Sequence, residues 1–523
     1  MSKSVLSCQN YYRALSKLPE TQLRFFNSPH SNFFLAQIPD LQKFIRPKMI
    51  NKDILIVGCG VAGPVLATWL LKSSPEYNIT IVERGKSTES YGQNIDIRGA
   101  GATIIRKMGL DTAVRAHITG EEGARFVDEN DRVAAEFPAD KTGKVQTGTS
   151  DLEILRGRLA SLCFGRCKSY SAELQQTNQS SGVNFIFNET LSNITQDESK
   201  VHVKFSNSGE ERSYDLLVGA DGILSTTRKM VFGAENDVER VHQTGMYGAF
   251  FSMPHGGNDS LWRRWFHAPG RRGIMIRPGE TPERSTVFMY VVSDDDKRYP
   301  EAARLGHKGV EKQKALLEDL FKDAGWECDR VISEMHDAKD FYYNMVAQIK
   351  MPHWTNGRVA LLGDAGYCPS PISGMGTTLA ITGAYNLAGA LRANPASHSD
   401  AFAAYETTIR PNVEKAQKLL PGFPHIFNPE TETGIHVMES ILGFMDGAQK
   451  LGQKLGRGLF YFGGPPANEV PVEDYGLGDL EEWNEASSSG GREVKAELNV
   501  VSETAASHST AAPPAVQPVQ AAA

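Results

Sequence analysis

The chain has 523 residues, which is more than one average domain, and its 40% hydrophobic and 22% charged residues are typical of a globular enzyme. A net charge of −7 provides no field that would attract nucleic acid or anionic lipid, so we expect no nucleic-acid partner. The six cysteines lack metal-ligand spacing, and no apolar run is long enough to span a bilayer. We therefore predict no metal site and no integral membrane span.

Residues 1–50 are predicted to be an extension that precedes the folded protein. The stretch is acid-poor and carries Arg13, Lys17 and Arg24, which is compatible with a mitochondrial targeting segment. A disordered extension, or a true start at Met49, are the alternatives. Without targeting by this segment, we expect a cytoplasmic location.

The first folded unit is predicted to be a β-α-β unit that begins near Asn51. DILIVG (53–58) is a short β-branched strand, the next segment has helical character, and NITIVERG (78–85) forms a second strand. Between them stands GCGVAG, which places Gly58, Gly60 and Gly63 in G-x-G-x-x-G spacing. Glu83 ends the second strand, where an acid can accept hydroxyl hydrogens of an adenosine ribose. This combination predicts a site for the ADP half of FAD or NAD.

The rest of the chain indicates a mixed α/β protein of discontinuous organisation. We predict a Rossmann-like FAD-binding domain over 51–235 and 345–400, an inserted antiparallel substrate-binding sheet over 236–344, a C-terminal helical segment over 401–480 and a disordered tail over 486–523. Alternation and many aromatics over 236–344 favour a sheet with one packed face and one cavity face. Residues 434–462 look amphipathic, which favours a helix over the domain seam, with a peripheral membrane anchor as the alternative.

Three later stretches separate FAD from NAD. GQNIDIRG contains Asp96 and Arg98; GADG ends a strand at Asp221 and is followed by Arg228. The third stretch, GDAGYCPSPISGMG, spans residues 363–376. Together with GCGVAG, these motifs resemble those of the class A FAD-dependent monooxygenases, typified by para-hydroxybenzoate hydroxylase. The details resemble the branch of tetracycline-inactivating and polyketide-tailoring monooxygenases.

The resemblance implies cofactor-binding roles along the chain. Gly58, Gly60 and Gly63 would hold the FAD pyrophosphate, Glu83 the ribose, and Arg84 would lie near the adenine.

Other residues would contact the middle and the ring of FAD. Arg156 would reach the pyrophosphate region and Asp364 the ribityl chain, while Asp96 would contact the flavin side. Asp221 resembles an acid linked to both FAD and NADPH use. Pro371, with the backbone of Gly374, Gly376 and Thr377, would line the isoalloxazine.

The loop departs from the family pattern, because Tyr367 stands where a histidine is usual and Cys368 follows it. We interpret this change as altered packing rather than lost activity.

The resemblance also implies an activity: NADPH or NADH reduces FAD, O2 adds to form a C4a-hydroperoxide, and one oxygen is transferred to an aromatic or polyketide-type substrate, in secondary metabolism. Baeyer–Villiger or decarboxylative outcomes, detoxification of an aromatic compound, and a flavin-binding protein without turnover remain alternatives. The protein is expected to be a monomer or a homodimer.

Candidate catalytic residues in the substrate sheet are drawn from side chains that could hydrogen bond to a phenol. They are Tyr247, Arg264 and Tyr343, together with Pro371 near the flavin, while His267, Arg277 and Tyr290 share the same region. Ordinary sheet packing is the alternative for each of them.

Overall fold

The computed structural model describes residues 52–87, 92–142, 147–177, 180, 182–454 and 470–485. The predicted N-terminal extension and C-terminal tail lie outside these residues, as does the part of the predicted amphipathic segment beyond Lys454. All described residues belong to one compact unit that ends at Glu485.

The strands occur in the following order: β1 (Asp53–Val57), β2 (Asn78–Glu83), β3 (Asn94–Asp96), β4 (Gly123–Val127), β5 (Val133–Pro138), β6 (Glu153–Leu155), β7 (Val183–Phe187), β8 (Leu191–Gln196), β9 (Val201–Phe205), β10 (Glu211–Tyr214), β11 (Leu216–Gly219), β12 (Val241–Pro254), β13 (Trp262–Ala268), β14 (Arg272–Pro278), β15 (Arg284–Val292), β16 (Tyr342–Ile349), β17 (Thr355–Asn356) and β18 (Val359–Leu361).

The helices are α1 (Ala62–Ser73), α2 (Ala100–Lys107), α3 (Asp111–Arg115), α4 (Arg156–Gln176), α5 (Thr226–Phe232), α6 (Asp237–Arg240), α7 (Arg298–Arg304), α8 (Val310–Phe321), α9 (Cys328–Asp337), α10 (Asp364–Tyr367), α11 (Gly376–Ala393), α12 (His398–Ala416) and α13 (Glu432–Lys454).

A six-stranded sheet confirms the predicted Rossmann-like domain. Its order is β17-β18-β11-β1-β2-β7, and every pair is parallel except β17–β18. The central strand β1 is buried on both faces, because α1, α4 and α11 cover one side and the small sheet β10-β9-β8 covers the other. The carboxyl ends of β1, β2, β11 and β18 consequently meet at one edge, which is where open parallel sheets bind ligands.

The second large sheet has seven strands in the order β16-β12-β15-β14-β13-β4-β5. All pairs are antiparallel except β13–β4, which confirms the predicted antiparallel character over most of the sheet. The predicted boundary at residue 236 left out β4 and β5, which come from the first part of the chain. A local pattern of residues does not reveal which distant strand will complete a sheet.

The long helix α13 packs against β5 and β13 of the seven-stranded sheet. Its other side is apolar and exposed at Val437, Ile441, Phe444 and Leu451. Among the described helices, none combines the length and the apolar content that crossing a membrane requires.

Candidate active site

The turn after β1 is shaped by its glycines. Gly58 has a φ of +113°, and a Cβ there would lie 2.4 Å from the carbonyl oxygen of Ala220. A Cβ at Gly63 would lie 2.1 Å from the carbonyl oxygen of Gly58, so α1 can approach the strand only without a side chain here. By contrast, a Cβ at Gly60 would meet no atom within 4 Å. The space beside Gly60 is therefore open for a ligand at the start of α1, where backbone N–H groups favour an anion.

The acid at the end of β2 is fixed beside this turn. One carboxylate oxygen of Glu83 accepts a hydrogen bond from the Cys59 N–H at 2.8 Å, and the other accepts one from the Gly85 N–H at 2.8 Å. Arg84 is exposed next to it. The carboxylate is thus held at the carboxyl edge of the sheet, one strand away from the glycine turn.

A second acid stands two strands away on the other side of β1. Asp364 begins α10, and a Cβ at Gly376 would lie 3.7 Å from its Oδ1 atom. Burial raises the pKa of Asp364, and the guanidinium of Arg156 opposes this effect. Arg156 begins α4, is exposed, and forms no side-chain hydrogen bond or ion pair with the described residues. An exposed arginine without a partner beside a half-buried acid is a natural site for a phosphate-bearing ligand.

The loop over residues 370–377 has an irregular backbone. Ser370 has a φ of +80° and Gly374 a φ of +62°. A non-glycine residue in such a conformation costs about 1–3 kcal/mol, which surrounding structure must offset. The Ser370 hydroxyl accepts a hydrogen bond from the Ile372 N–H at 3.3 Å, and Pro371–Ser373 form a 3-10 turn in which Pro371 is exposed. Helix α11 then begins at Gly376, so the N–H groups of Gly376 and Thr377 lie in a first turn, where no helical acceptor exists.

The short strand β3 connects this loop to the second sheet. A Cβ at Gly374 would lie 3.8 Å from a carboxylate oxygen of Asp96. Asp96 accepts hydrogen bonds from Arg98 Nη2 at 2.8 Å and from the Ser150 N–H at 2.9 Å. The Arg98 N–H donates to the Thr378 hydroxyl at 3.1 Å, which attaches this segment to the start of α11.

One face of the seven-stranded sheet is aromatic and borders a cavity. The ring of Phe250 stacks on Phe288 with centroids 4.1 Å apart and on Tyr342 with centroids 5.2 Å apart. Beside them lies a cavity of about 40 Å³. Its walls are formed by Gly92, Gln93, Asn94, Phe250, Phe251, Met275, Arg277, Thr286, Val287, Phe288, Asp340 and Tyr342. The cavity thus lies between the aromatic face and the segment that leads into β3.

The opposite face of this sheet is packed against helices. Tyr247 and Tyr343 belong to a core that also contains residues of α7, α8 and α9. Since successive side chains of a strand point to opposite faces, Tyr342 and Tyr343 serve different sides of the sheet.

The family of the chain follows from comparison with known proteins. The model of the family described as "FAD binding domain" matches residues 51–418. The chain belongs to this family. The match begins just before β1 and includes both the glycine turn and the 370–377 loop, so it covers the residues whose geometry is described above.

Two relatives from fungi are similar over most of their length. "FAD-dependent monooxygenase asL6" of Sarocladium schorii is 35% identical over 372 residues, which cover 70% of this chain and 86% of the relative. "Monooxygenase CTB7" of Cercospora beticola is 33% identical over 398 residues, covering 75% of this chain and 91% of the relative. The protein is therefore an FAD-dependent monooxygenase, as the motifs predicted.

Solved structures agree with this assignment. The tetracycline destructase Tet(51) is 29% identical, has a TM-score of 0.60, and matches 82% of this chain and 100% of its own. HpxO of Klebsiella pneumoniae, complexed with FAD and uric acid, has a TM-score of 0.55 at 18% identity. That match covers 78% of this chain and 97% of HpxO, and at this identity it shows the fold alone.

The residues of this monooxygenase fit FAD. The open space beside Gly60 can admit a pyrophosphate. The guanidinium of Arg156 forms no ion pair with any of the described residues. Glu83 and Asp364 place carboxylates on either side of the glycine turn, as hydroxyl groups of a ribose and a ribityl chain require. The roles of these individual residues, and those of Arg84, Asp96, Gly374 and Thr377, stay predictions.

Asp221 has a structural role in the monooxygenase that the motif did not reveal. Its carboxylate accepts hydrogen bonds from the Thr227 N–H at 3.0 Å and the Ser225 hydroxyl at 2.5 Å, at the start of α5. Arg228 in that helix is fully buried, pairs with Asp237 and donates to the Ala365 carbonyl at 2.9 Å. The GADG segment therefore supports the Asp364 loop, while a part for Asp221 in NADPH use stays a prediction.

The two departures from the family loop point into the core. Tyr367 is fully buried, accepts a hydrogen bond from the Tyr405 hydroxyl at 2.9 Å and packs on Trp354 with centroids 4.5 Å apart. The Cys368 thiol is buried and donates to the Ala347 carbonyl at 3.7 Å. Both side chains therefore lie beneath the loop, where the Cys368 thiol also interacts with the Asp364 carboxylate.

The structure places three of the catalytic candidates away from the walls of this cavity. Tyr247 and Tyr343 lie on the helix-covered face, and the Tyr343 hydroxyl is buried without a hydrogen-bond partner. Arg264 pairs with Asp131, Asp259 and Glu327 and stacks over Trp326. These side chains stabilise the sheet and its helices, since none of them reaches the cavity face.

Most residues that line the cavity escape prediction from the sequence. Gln93, Asn94, Phe250, Phe288 and Tyr342 are not among the predicted candidates, although Arg277 is. The alternating pattern of β12 and β15 indicates that every second residue shares one face of the sheet. Only the register of the strands decides which of these residues face the cavity.

Proposed function

We propose that this monooxygenase uses NAD(P)H and O2 to hydroxylate an aromatic or polyketide-type small molecule, in secondary metabolism. The observation that carries the proposal is the stacked aromatic face of Tyr342, Phe250 and Phe288 beside a cavity, with the Asp96 segment leading from there to the Gly374 loop. Flat aromatic walls favour flat aromatic ligands, since offset stacking adds about 0.5–1.5 kcal/mol per pair to the burial of area.

When bound, FAD supplies the redox chemistry and oxygen activation. The chain contributes by binding and by excluding water. The glycine turn and Arg156 would hold the pyrophosphate, Glu83 and Asp364 would hold the hydroxyl groups, and the 370–377 backbone would lie beside the ring. The aromatic rings make one side of the cavity apolar, which helps to exclude water.

The names of relatives also support the substrate class. The two fungal relatives are named as monooxygenases, and Tet(51) is named as a tetracycline destructase. Tetracycline is a fused polyketide ring system. A fused phenolic ring system with alternating carbonyl and hydroxyl groups is the chemistry that we infer for the substrate here.

The test is a turnover assay with purified protein that contains FAD. NADPH and NADH oxidation is followed with and without O2 against a panel of resorcylic, anthraquinone-type and tetracycline compounds, and products from ¹⁸O2 are read by mass. Gain of one labelled oxygen supports hydroxylation, and loss of CO2 or ring expansion identifies the decarboxylative or Baeyer–Villiger outcome. Protein that carries no flavin, or that oxidises NAD(P)H at a rate no compound changes, refutes the proposal.

Tyr342→Phe and Tyr343→Phe form a matched pair for this assay. The Tyr342 hydroxyl donates to the Gln93 side chain at the cavity, so its loss should raise KM for the substrate severalfold. Tyr343→Phe removes a hydroxyl that has no partner on the other face and should leave kinetic constants unchanged. Equal effects of both changes would show that the cavity face is not the substrate site.

A further inference from the structure

The loop that leads into α11 begins with a proline-serine-proline segment, Pro369, Ser370 and Pro371. The ring of Pro369 fixes its own φ, and the ring of Pro371 confines the ψ of Ser370 to extended values, here 145°. Between the two rings, only the ψ of Pro369 and the φ of Ser370 can therefore rotate. These two torsions flank one peptide group, so the remaining freedom of the segment is a flip of the Pro369–Ser370 peptide.

The observed orientation of this peptide is the unfavourable one. Ser370 has a φ of +80° with a ψ of 145°, a combination that is found almost only in glycine. A flip would change this φ by about 180°, to about −100°, which is ordinary extended backbone for a serine. A contact from outside the segment must therefore hold the peptide, since its own torsions favour the flipped form.

The side chain of Gln348 supplies that contact. Gln348 lies near the end of β16, is 4% exposed, and donates through Nε2 to the Pro369 carbonyl at 3.0 Å. The second hydrogen of the same amide is donated to the Gln417 carbonyl at 2.9 Å. Because both partners are acceptors, only the nitrogen of the amide can face them. A flip would turn the Pro369 carbonyl away and leave a buried N–H without its acceptor, which is costly.

The backbone before this contact is fixed as well. The Ile349 N–H donates to the Cys368 carbonyl at 2.9 Å. Gln417 donates through Nε2 to the Ile349 carbonyl at 2.8 Å and to the Cys368 carbonyl at 3.2 Å. At the far end of the loop, a Cβ at Gly376 would lie 3.8 Å from Cδ of Pro369. With both ends of the loop held, the orientation of the Pro369 peptide decides the course of the backbone between them.

We propose that Gln348 is a positioning residue for the flavin ring. Its amide locks the Pro369–Ser370 peptide and thereby holds the 370–377 backbone in the shape that the ring contacts. The inference rests on the place beside the ring that the proposed function gives to this loop. Since Tyr342 lines the cavity from the same strand, β16 connects the cavity wall with the flavin loop.

The test compares two buried glutamines. Gln348→Met retains an unbranched side chain of similar length and removes both donors. Gln313→Met is the matched control, because Gln313 in α8 is 1% exposed and donates to the carbonyls of Ala302 and Gly306 at 2.8 and 3.1 Å. Each variant loses two amide hydrogen bonds to backbone carbonyls, so the urea midpoint should fall to a similar extent in both.

Only Gln348→Met should alter the loop. In the FAD-free protein, amide hydrogen exchange of residues 370–377, followed by mass spectrometry, should rise about tenfold, because the peptide can flip and relieve the strained φ. In the FAD-loaded protein, the visible circular dichroism of the flavin should change. The FAD dissociation constant should stay within about threefold of wild type, since the glycine turn and Glu83 are untouched. Gln313→Met should leave exchange and spectrum as in wild type.

Changes at Ser370 separate this lock from ordinary packing. In Ser370→Gly the observed φ carries no strain, so the addition of Gln348→Met should raise exchange only about threefold or less. Ser370→Pro imposes a negative φ while Gln348 stays intact. It should change the flavin spectrum as Gln348→Met does, and it provides the same test where Gln348→Met does not fold.

Four results would overturn the inference. They are wild-type exchange of residues 370–377 in Gln348→Met, an equal rise of exchange in the Ser370→Gly background, a wild-type flavin spectrum in Gln348→Met or Ser370→Pro, and the same changes in Gln313→Met. A protein that shows every expected change but hydroxylates no compound of the panel refutes the proposed function and leaves this inference intact. A protein that hydroxylates the panel but keeps a wild-type spectrum in Gln348→Met refutes this inference alone.

Discussion

The glycine turn after β1 allows a sharp test, because two of its glycines are required for different reasons. Gly63→Ala would place a Cβ 2.1 Å from the carbonyl oxygen of Gly58 and 3.3 Å from Cγ2 of Ile56. Both neighbours are buried, Ile56 in β1 and Gly58 in the turn that follows it, so relief requires α1 to move away from β1. Gly60→Ala would place its Cβ in open space, and Gly60 is not among the positive-φ glycines.

The substitution at residue 63 should change the free energy of unfolding, whereas the substitution at residue 60 should change the affinity for FAD. Overpacking at residue 63 should lower the free energy of unfolding by about 1–3 kcal/mol, partly offset by about 1 kcal/mol from the higher helix propensity of alanine. At residue 60 the substitution should leave the stability of the FAD-free protein unchanged or raise it by about 0.4–1 kcal/mol. The new methyl group would, however, occupy the space that we assign to the pyrophosphate, so FAD affinity should fall at least about tenfold, or about 1.4 kcal/mol.

The assay measures the two quantities separately. Urea denaturation of the FAD-free variants gives stability, and quenching of FAD fluorescence gives the dissociation constant. Gly60→Ala should therefore be a stable protein that binds FAD weakly, whereas Gly63→Ala should be less stable even without FAD. If Gly60→Ala bound FAD as tightly as wild type, the pyrophosphate would not lie beside residue 60. If Gly63→Ala were as stable as wild type, the close approach of α1 to β1 would be refuted.

Other predictions concern single side chains. Asp364→Asn should raise the FAD dissociation constant about tenfold by fluorescence titration, because charge-assisted hydrogen bonds contribute about 1.5–3 kcal/mol, whereas Asp400→Asn on the exposed start of α12 should not. Tyr367→Phe should cost about 1 kcal/mol of stability through the lost hydrogen bond from Tyr405 and leave the visible spectrum of bound flavin unchanged; a changed spectrum would place Tyr367 against the ring. Because the pKa of Glu153 is raised from 4.5 to about 7, its contribution to stability is complete below about pH 4.5 and is lost as the pH rises through about 7. Between about pH 5 and about pH 8, the urea midpoint should therefore fall less for Glu153→Gln than for wild type. An equal fall would contradict the raised pKa.

Cofactor motifs were readable from the sequence because each lies in one short segment. The strand, the glycine turn, the helix and the acid occur within about thirty residues. The local β-α-β fold therefore fixes where Glu83 lies relative to GCGVAG. The GDAG loop was equally recognisable, and the parallel order of β18, β11, β1 and β2 explains why it meets the glycine turn at one edge. The loop lies beside the glycine turn because the strands that precede the two segments are parallel members of one sheet.

The cavity face of the seven-stranded sheet was not readable in the same way. Tyr342 and Tyr343 are neighbours of the same type, yet one lines the cavity and the other packs on helices. Register decides this, since a shift of one residue exchanges the two faces of a strand. Strands β4 and β5 join the same sheet from far upstream, which no local pattern could show.

By itself, the sequence indicated the family and the cofactor and predicted the segments that would hold it, because these functions depend on local backbone geometry within short motifs. Only the tertiary structure decided which side chains face the cavity and that Glu121, Glu153 and Arg277 meet. These side chains come from segments far apart in the chain, and their chemistry arises only when packing removes them from water and brings them within hydrogen-bonding distance.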